Sequence, residues 1–250
     1  MAFILFAVIG AIGAFLSGLI GIGGAIIMYP MLLFIPPLFN IDMNPTAAAG
    51  LTAAQVFFST LSGSISQRKN ENLNKSIIIP MSIGILLGSV SGAYLASIFD
   101  ESLINIVYTF LAILAVILMF IKVKANDSKT TYNKIALFIV AAVIGILSGI
   151  VGAGGAFLIV PILLTIFKVP FRVVVANSII IAFVSSIGTF ITKFLTGSVD
   201  IEHAIPLIIA SLIFAPIGTK VSKKTNQTVL RYILTALIIM AAIKMIIDMI

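Results

Sequence analysis

The chain has 250 residues, 61% of them hydrophobic and 9% charged, with a mean hydropathy of +1.27. A soluble domain carries about 25% charged residues, so lipid is the expected solvent, and the apolar stretches leave no room for a separate soluble domain. The net charge of +7 does not imply nucleic acid, because the basic residues fall in short connections rather than on one continuous face.

Ten apolar segments are predicted. They run near 2–18, 24–38, 45–66, 76–98 and 102–121, then 135–149, 155–168, 172–195, 204–220 and 228–249. The first has no basic residues ahead of it and is expected to be a membrane segment rather than a cleaved leader. Long alternating apolar and polar runs are missing, which argues against a β-barrel. The polar stretch 122–134 (KVKANDSKTTYNK) joins two halves, 1–121 and 135–250. The chain has no Cys, which excludes disulfides and thiolate metal sites.

The halves repeat one another. LSGLIGIGGAIIMYP, Leu16 to Pro30, returns as LSGIVGAGGAFLIVP, Leu147 to Pro161. Thr52, Ser59, Thr60, Pro80 and Gly92 return 126 positions later as Ser178, Ser185, Ser186, Pro206 and Gly218. If the loop around Arg68, Lys69 and Lys75 is cytoplasmic, alternation puts 13 of the 15 Lys and Arg inside, with Lys193 and Lys244 the exceptions. That is the expected positive-inside bias. The arrangement puts equivalent loops on opposite sides, so the fold class is all-α integral membrane, with two inverted repeats of five apolar segments each. A glycine-broken helix pair opens each repeat. Paired breaks at matching places in two halves mark transport sites.

The candidate site follows from these breaks. Non-helical backbone inside a bilayer survives only where it faces protein or a watery cavity. Helices starting near Gly24 and Gly155 would point free N–H groups and the positive ends of their dipoles at such a cavity. Gly21, Gly23, Gly24 and Ala25 with Gly152, Gly154, Gly155 and Ala156 are therefore candidate anion-binding backbone. The competing reading is that the glycines only let helices pack closely, and Gly18 and Gly149 suit that role. Each break can be two steep crossings or two half-helices meeting inside the bilayer.

Thr52, Gln55, Ser59 and Ser62 share one helix face, as do Ser178, Ser185, Thr189 and Thr192, with Asn177 and Ser186 beside the second stripe. Hydroxyls and amides can donate to an anion without burying a fixed charge. Bonding between helices is their bland alternative. Of these residues, Gln55 and Asn177 are the stronger candidates, because amides are costlier to hide. Lys193 and Lys244 are expected to snorkel to the interface, with an electrostatic lure for substrate as the alternative, chiefly for Lys193. His203 is expected to sit at a membrane boundary, with a proton relay as its alternative. No HExxH, GxSxG, Cys nucleophile or buried carboxylate pair is present, so no enzyme, cofactor or metal site is expected.

The doubled glycine motif, each copy with Pro six residues after its GG pair, resembles the TauE/SafE family of sulfite and organosulfonate permeases, also called the toluene sulfonate uptake permease group. The second half adds Ala176-Asn177-Ser178 and Gly197-Ser198-Val199-Asp200. The first half has Ala49-Gly50-Leu51-Thr52, without the family's usual Ser. The resemblance covers nearly the whole chain and implies a multi-pass cell-membrane transporter of small sulfur-containing anions. Thr52, Gln55, Ser59, Asn177, Ser178 and Ser185 would complete the site. The alternative is an anion channel or a non-transporting membrane subunit. Oligomeric state is open, and a homodimer is compatible with the sequence.

Overall fold

A computed structural model of the chain describes residues 2–20, 25–121 and 132–247. Every regular element among them is helical. In chain order they are α1 (Ala2–Ile20), α2 (Ala25–Phe34), a 3-10 turn (Pro36–Phe39), α3 (Pro45–Gln67), α4 (Lys75–Leu95) and α5 (Glu101–Phe120). The second half contributes α6 (Lys134–Val151), α7 (Ala156–Thr165), α8 (Phe171–Leu195), α9 (Ile201–Lys224) and α10 (Gln227–Ile247). These match the ten apolar segments. Six of the described helices (α1, α4, α5, α6, α8 and α9) are long and apolar enough to cross a membrane.

Local chemistry sets the boundaries. Side chains of Asn44, Asn74, Asn133 and Asp200 accept backbone N–H bonds at the starts of α3, α4, α6 and α9, as N-caps do. Helices α2 and α7 are shorter than their apolar segments. Pro36 and Pro37 turn the chain into the 3-10 segment after α2. After α7, Lys168 adopts φ 58° and Pro170 follows. At ten residues each, α2 and α7 are about 15 Å long, half a bilayer core. The structure therefore favours half-helices over steep full crossings.

Two crossings rest on glycine. A Cβ at Gly92 of α4 would lie 1.9 Å from the Ile146 carbonyl oxygen of α6, and one at Gly18 of α1 would lie 2.0 Å from the Ala215 carbonyl oxygen of α9. Only a missing side chain lets these backbones meet, the small-residue packing of membrane helices. Gly149 likewise abuts the Ser89 carbonyl. The same contacts give direction. Gly84 meets Phe138 and Gly92 meets Ile146; Gly10 meets Leu207 and Gly18 meets Ala215. Pairs α4–α6 and α1–α9 are thus parallel. Gly50 meets Ser198 while Thr60 bonds Ser186, so α3 and α8 are antiparallel.

Helix α5 braces α2. Pro30 inside α2 has no N–H for the Ile26 carbonyl one turn back. The hydroxyl of buried Tyr108 donates to that carbonyl instead. Tyr29 stacks on Tyr108 at 4.8 Å between ring centroids and donates its hydroxyl to Asn105 Oδ1 at 2.5 Å.

Gly92→Ala should lower the melting temperature in detergent, through overpacking of about 1–3 kcal/mol. Gly197→Asn should be tolerated, since Gly197 has φ 73° with nothing within 4 Å of a Cβ and Asn accepts that backbone region. A thermal unfolding series separates the two outcomes.

Candidate functional site

The second glycine break is built as a stop, a gap and a start. Helix α6 ends in a Schellman motif: Ala153 N–H bonds Ser148 O at 2.9 Å and Gly152 N–H bonds Gly149 O at 3.2 Å. Gly152, Gly154 and Gly155 have φ of 81°, 60° and 70°, a run that side chains resist. Gly155 caps α7 without any side-chain bond, and its carbonyl accepts from Leu158 and Ile159. The first N–H groups of α7 have no acceptor within their own helix. A Cβ at Gly154 would sit 3.3 Å from Val56 Cγ1 and 3.5 Å from Ser186 Cβ. Val56 and Ser186 lie near the middles of α3 and α8, so the break lies at mid-depth. Ala156 opens α7. Gly21, Gly23 and Gly24 lie outside the described residues, and of Ala25 only its place at the start of α2 is described.

Ser62 and Thr192, at the ends of the two stripes, are half-buried, while Thr52, Gln55, Ser59, Asn177, Ser178 and Ser185 are all fully buried. Their hydrogen bonds differ, and an anion needs donors. Thr52 Oγ1 donates to Ala48 O at 2.7 Å, and Ser178 Oγ to Val175 O at 3.3 Å. Ser59 Oγ lies 3.1 Å from Ser17 Oγ of α1, and Thr60 Oγ1 3.2 Å from Ser186 Oγ across α3 and α8. Gln55 is different: neither Nε2 nor Oε1 has a partner. Its Nε2 lies 3.4 Å from a Cβ placed at Gly13, which would also meet Met28 Sδ. Gln55 therefore sits where α1, α2 and α3 come together. Ser185 Oγ is also buried without a partner, while its carbonyl accepts from Ser89 Oγ at 2.9 Å. A buried polar atom left unpaired is costly, and among the described residues Gln55, Ser185 and Ser82 of α4 carry one.

Asn177 has a separate engagement. Its Oδ1 accepts from Asn74 N–H at 2.7 Å; its Nδ2 donates to Asn72 O at 2.9 Å and Val173 O at 2.5 Å. It ties the start of α8 to the α3–α4 connection. A polar cavity of about 50 Å³ opens beside it, lined by Gln67, Asn72, Arg172, Ala176, Ser222 and Thr225 among others. That volume holds a few waters. The ends of α3 and α9 and the start of α8 therefore share one end of the bundle, which also carries Arg68, Lys69 and Lys220. From Ala176 to Ser186 is about 15 Å along α8.

Lys193 departs from expectation. It does not snorkel outward but is 1% exposed, among the largest fully buried side chains. Phe194 and Leu195 beside it face outward instead. The pattern of apolar residues near the helix end gave no sign of this. The Lys244 side chain is not among those described. His203 sits at the start of α9, with Nδ1 2.7 Å from Asp200 Oδ2, the one ion pair among the described residues. Burial pushes the Asp200 carboxyl up, but hydrogen bonds with His203 and the Glu202 amide outweigh this and hold it below the usual range. No cluster of three or more metal-ligating side chains occurs among the described residues.

Residues 5–245 match the family described as Sulfite exporter TauE/SafE. The chain belongs to the TauE/SafE family. It is a multi-pass membrane transporter of that type. It is 25% identical to the probable membrane transporter protein YunE of Bacillus subtilis, over 98% of each chain. It is 28% identical to the probable membrane transporter protein MJ0441 of Methanocaldococcus jannaschii, over 92% of this chain and 90% of that one. No solved structure matches it. TauE/SafE membership fits the doubled glycine motif, whose second copy is the break described above.

Asn177→Ala should release the α3–α4 connection, costing about 1–3 kcal/mol. Amide exchange at residues 70–75 should speed up while α3 and α8 stay protected. Unchanged exchange there would assign Asn177 another role.

Proposed function

We propose that the chain is a secondary transporter of small sulfur-containing anions such as sulfite or organosulfonates, held at broken-helix N-termini, moved unchanged and exported by preference. The observation that carries this reading is Gln55, fully buried with both amide atoms unpaired, where α1, α2 and α3 meet. An oxyanion supplies the acceptor that its Nε2 lacks. The α7 N-terminus, with Gly152, Gly154 and Gly155 in left-handed backbone, adds N–H groups without an intrahelical acceptor at mid-depth, the arrangement by which helix ends bind anions. Ser185 Oγ contributes a further donor. Gly21, Gly23, Gly24 and Ala25 do the same in the first half as their counterparts do in the second. Thr52 and Ser59 shape the walls, and Asn177 and Ser178 belong to the path toward the basic end. The name of the matched family, with sulfite in it, supports the sulfur oxyanion as cargo.

The halves act as inverted repeats that rock about this site. Three packing features support this. Equivalent helices α3 and α8 run antiparallel; α1 pairs with α9, and α4 pairs in the equivalent way with α6. The halves also differ in conformation, as an inward- or outward-facing state of such a cycle requires. Ser17 bonds Ser59, whereas its counterpart Ser148 donates to Gly145 O within its own helix and Ser185 Oγ stays unpaired. With the basic end in the cytoplasm, expulsion of an anion releases about 2.3 kcal/mol per charge per 100 mV.

Gln55→Leu should fold as well as the parent, because the amide bonds nothing in the protein. It should lower sulfite and methanesulfonate flux in proteoliposomes tenfold or more. Absence of flux of any sulfur oxyanion by the parent protein would end this reading.

A further inference from the structure

Lys193 is a buried cation without a counter-ion. Its side chain is 1% exposed; the one ion pair among the described residues is His203 with Asp200, and no hydrogen bond from its ammonium is present among them. Taking a charge out of water without a partner is strongly unfavourable, and a lysine two residues from a helix end has an easy alternative in snorkelling. The last turn of α8 offers helix-dipole attraction, which falls well short of a full counter-charge. Ionisable groups held inside a membrane bundle mark substrate pathways.

Its position adds direction. Ser185, Thr189 and Lys193 follow at four-residue steps and share a face of α8. The first of them is the other donor left without a partner on that helix. In the antiparallel α3–α8 pair, Ser186 meets Thr60 and Ser198 meets Gly50. This register sets Lys193 opposite the α3 stretch between Ala49 and Val56. Those two residues flank the second break, since Ala49 O abuts Gly152 and Val56 adjoins Gly154. Lys193 thus lies opposite the α3 stretch whose ends touch Gly152 and Gly154, nearer the α8 C-terminus than Ser186 and at the opposite end of α8 from the Arg172 cavity.

We propose that Lys193 is the charged contact for the transported oxyanion on the Asp200 side of the path, and that it lacks a protein counter-ion because the substrate supplies one. This rests on the transport reading above. It assigns recognition to a fixed positive charge as well as to neutral donors.

The test uses the full chain, purified and reconstituted, with sulfite and methanesulfonate as probes. Two readouts are taken, flux and the melting shift caused by each anion. Lys193→Met should melt at or above the parent, since an apolar group replaces an unpaired charge. Its sulfite flux should fall at least tenfold and its anion-induced melting shift should vanish. Lys193→Arg should recover part of both. Lys193→Gln replaces the Met variant if that one fails to insert, and should behave like it. Flux within twofold of the parent in the neutral variants overturns the role of Lys193 and leaves the transport reading standing. Failure of all three variants to fold assigns Lys193 to structure and also overturns it. A melting shift present in the parent, lost in the neutral variants and accompanied by no flux anywhere supports Lys193 while ending the transport reading. No shift and no flux in the parent ends both.

Discussion

A backbone that stops being helical halfway across a bilayer has to be enclosed by protein. The second glycine break sets this demand, and much of the fold answers it. Gly154 lies between Val56 and Ser186, so the antiparallel α3–α8 pair is its wall. That pair can stay polar because other helices shield it. Helices α4 and α9 pack against α8 and α3 and carry α6 and α1 on glycine contacts too close for any side chain. The proline in α2 raises the same difficulty on a smaller scale. One carbonyl loses its donor, and a buried tyrosine hydroxyl from α5 replaces it.

Much of the architecture was legible in the sequence, because hydropathy acts locally. The ten segments and the two broken pairs follow from composition and the glycine motifs, whereas the Asn and Asp caps that set the helix starts emerge only in the structure. The inward aim of the Thr52–Gln55–Ser59 and Ser178–Ser185 stripes was legible too, since spacing alone puts those residues on one face. Partners were not legible. Nothing in the letters distinguishes Gln55, which bonds nothing, from Asn177, whose amide joins α8 to Asn72 and Asn74. Both are amides in apolar segments, and the difference lies in which loop folds over which helix. The burial of Lys193 escaped for a related reason. A lysine near a helix end reads as interfacial unless the neighbouring helix closes over it. The shortness of α2 and α7 was only half visible, because the Pro36–Pro37 and Lys168–Pro170 stops sit within stretches that remain apolar.

The repeated halves share a scaffold more closely than they share chemistry. Ser59 and Ser185 occupy equivalent positions, yet one is bonded across helices and the other is not. Gln55 has Ile181 at its counterpart position 126 residues later, so the amide exists once. The unpaired polar groups therefore come unequally from the two halves, and on the transport reading these are what a ligand would meet.

Hydroxyl arithmetic sharpens this point. A serine or threonine has one proton to give, and Thr52, Ser178 and Thr189 spend it on a carbonyl of their own helix. Such groups present lone pairs to the interior, which repel an oxyanion. An amide nitrogen has two protons and no such outlet here. Free N–H groups at the start of α7 belong to the same class, since their geometry forbids an intrahelical acceptor. In a region of low dielectric a few fixed donors of this kind outweigh many hydroxyls already satisfied. On the transport reading proposed above, the capacity to hold an anion would reside in Gln55, Ser185, Lys193 and the glycine backbone. Ser59 and Ser186 instead join helices, to Ser17 of α1 and Thr60 of α3.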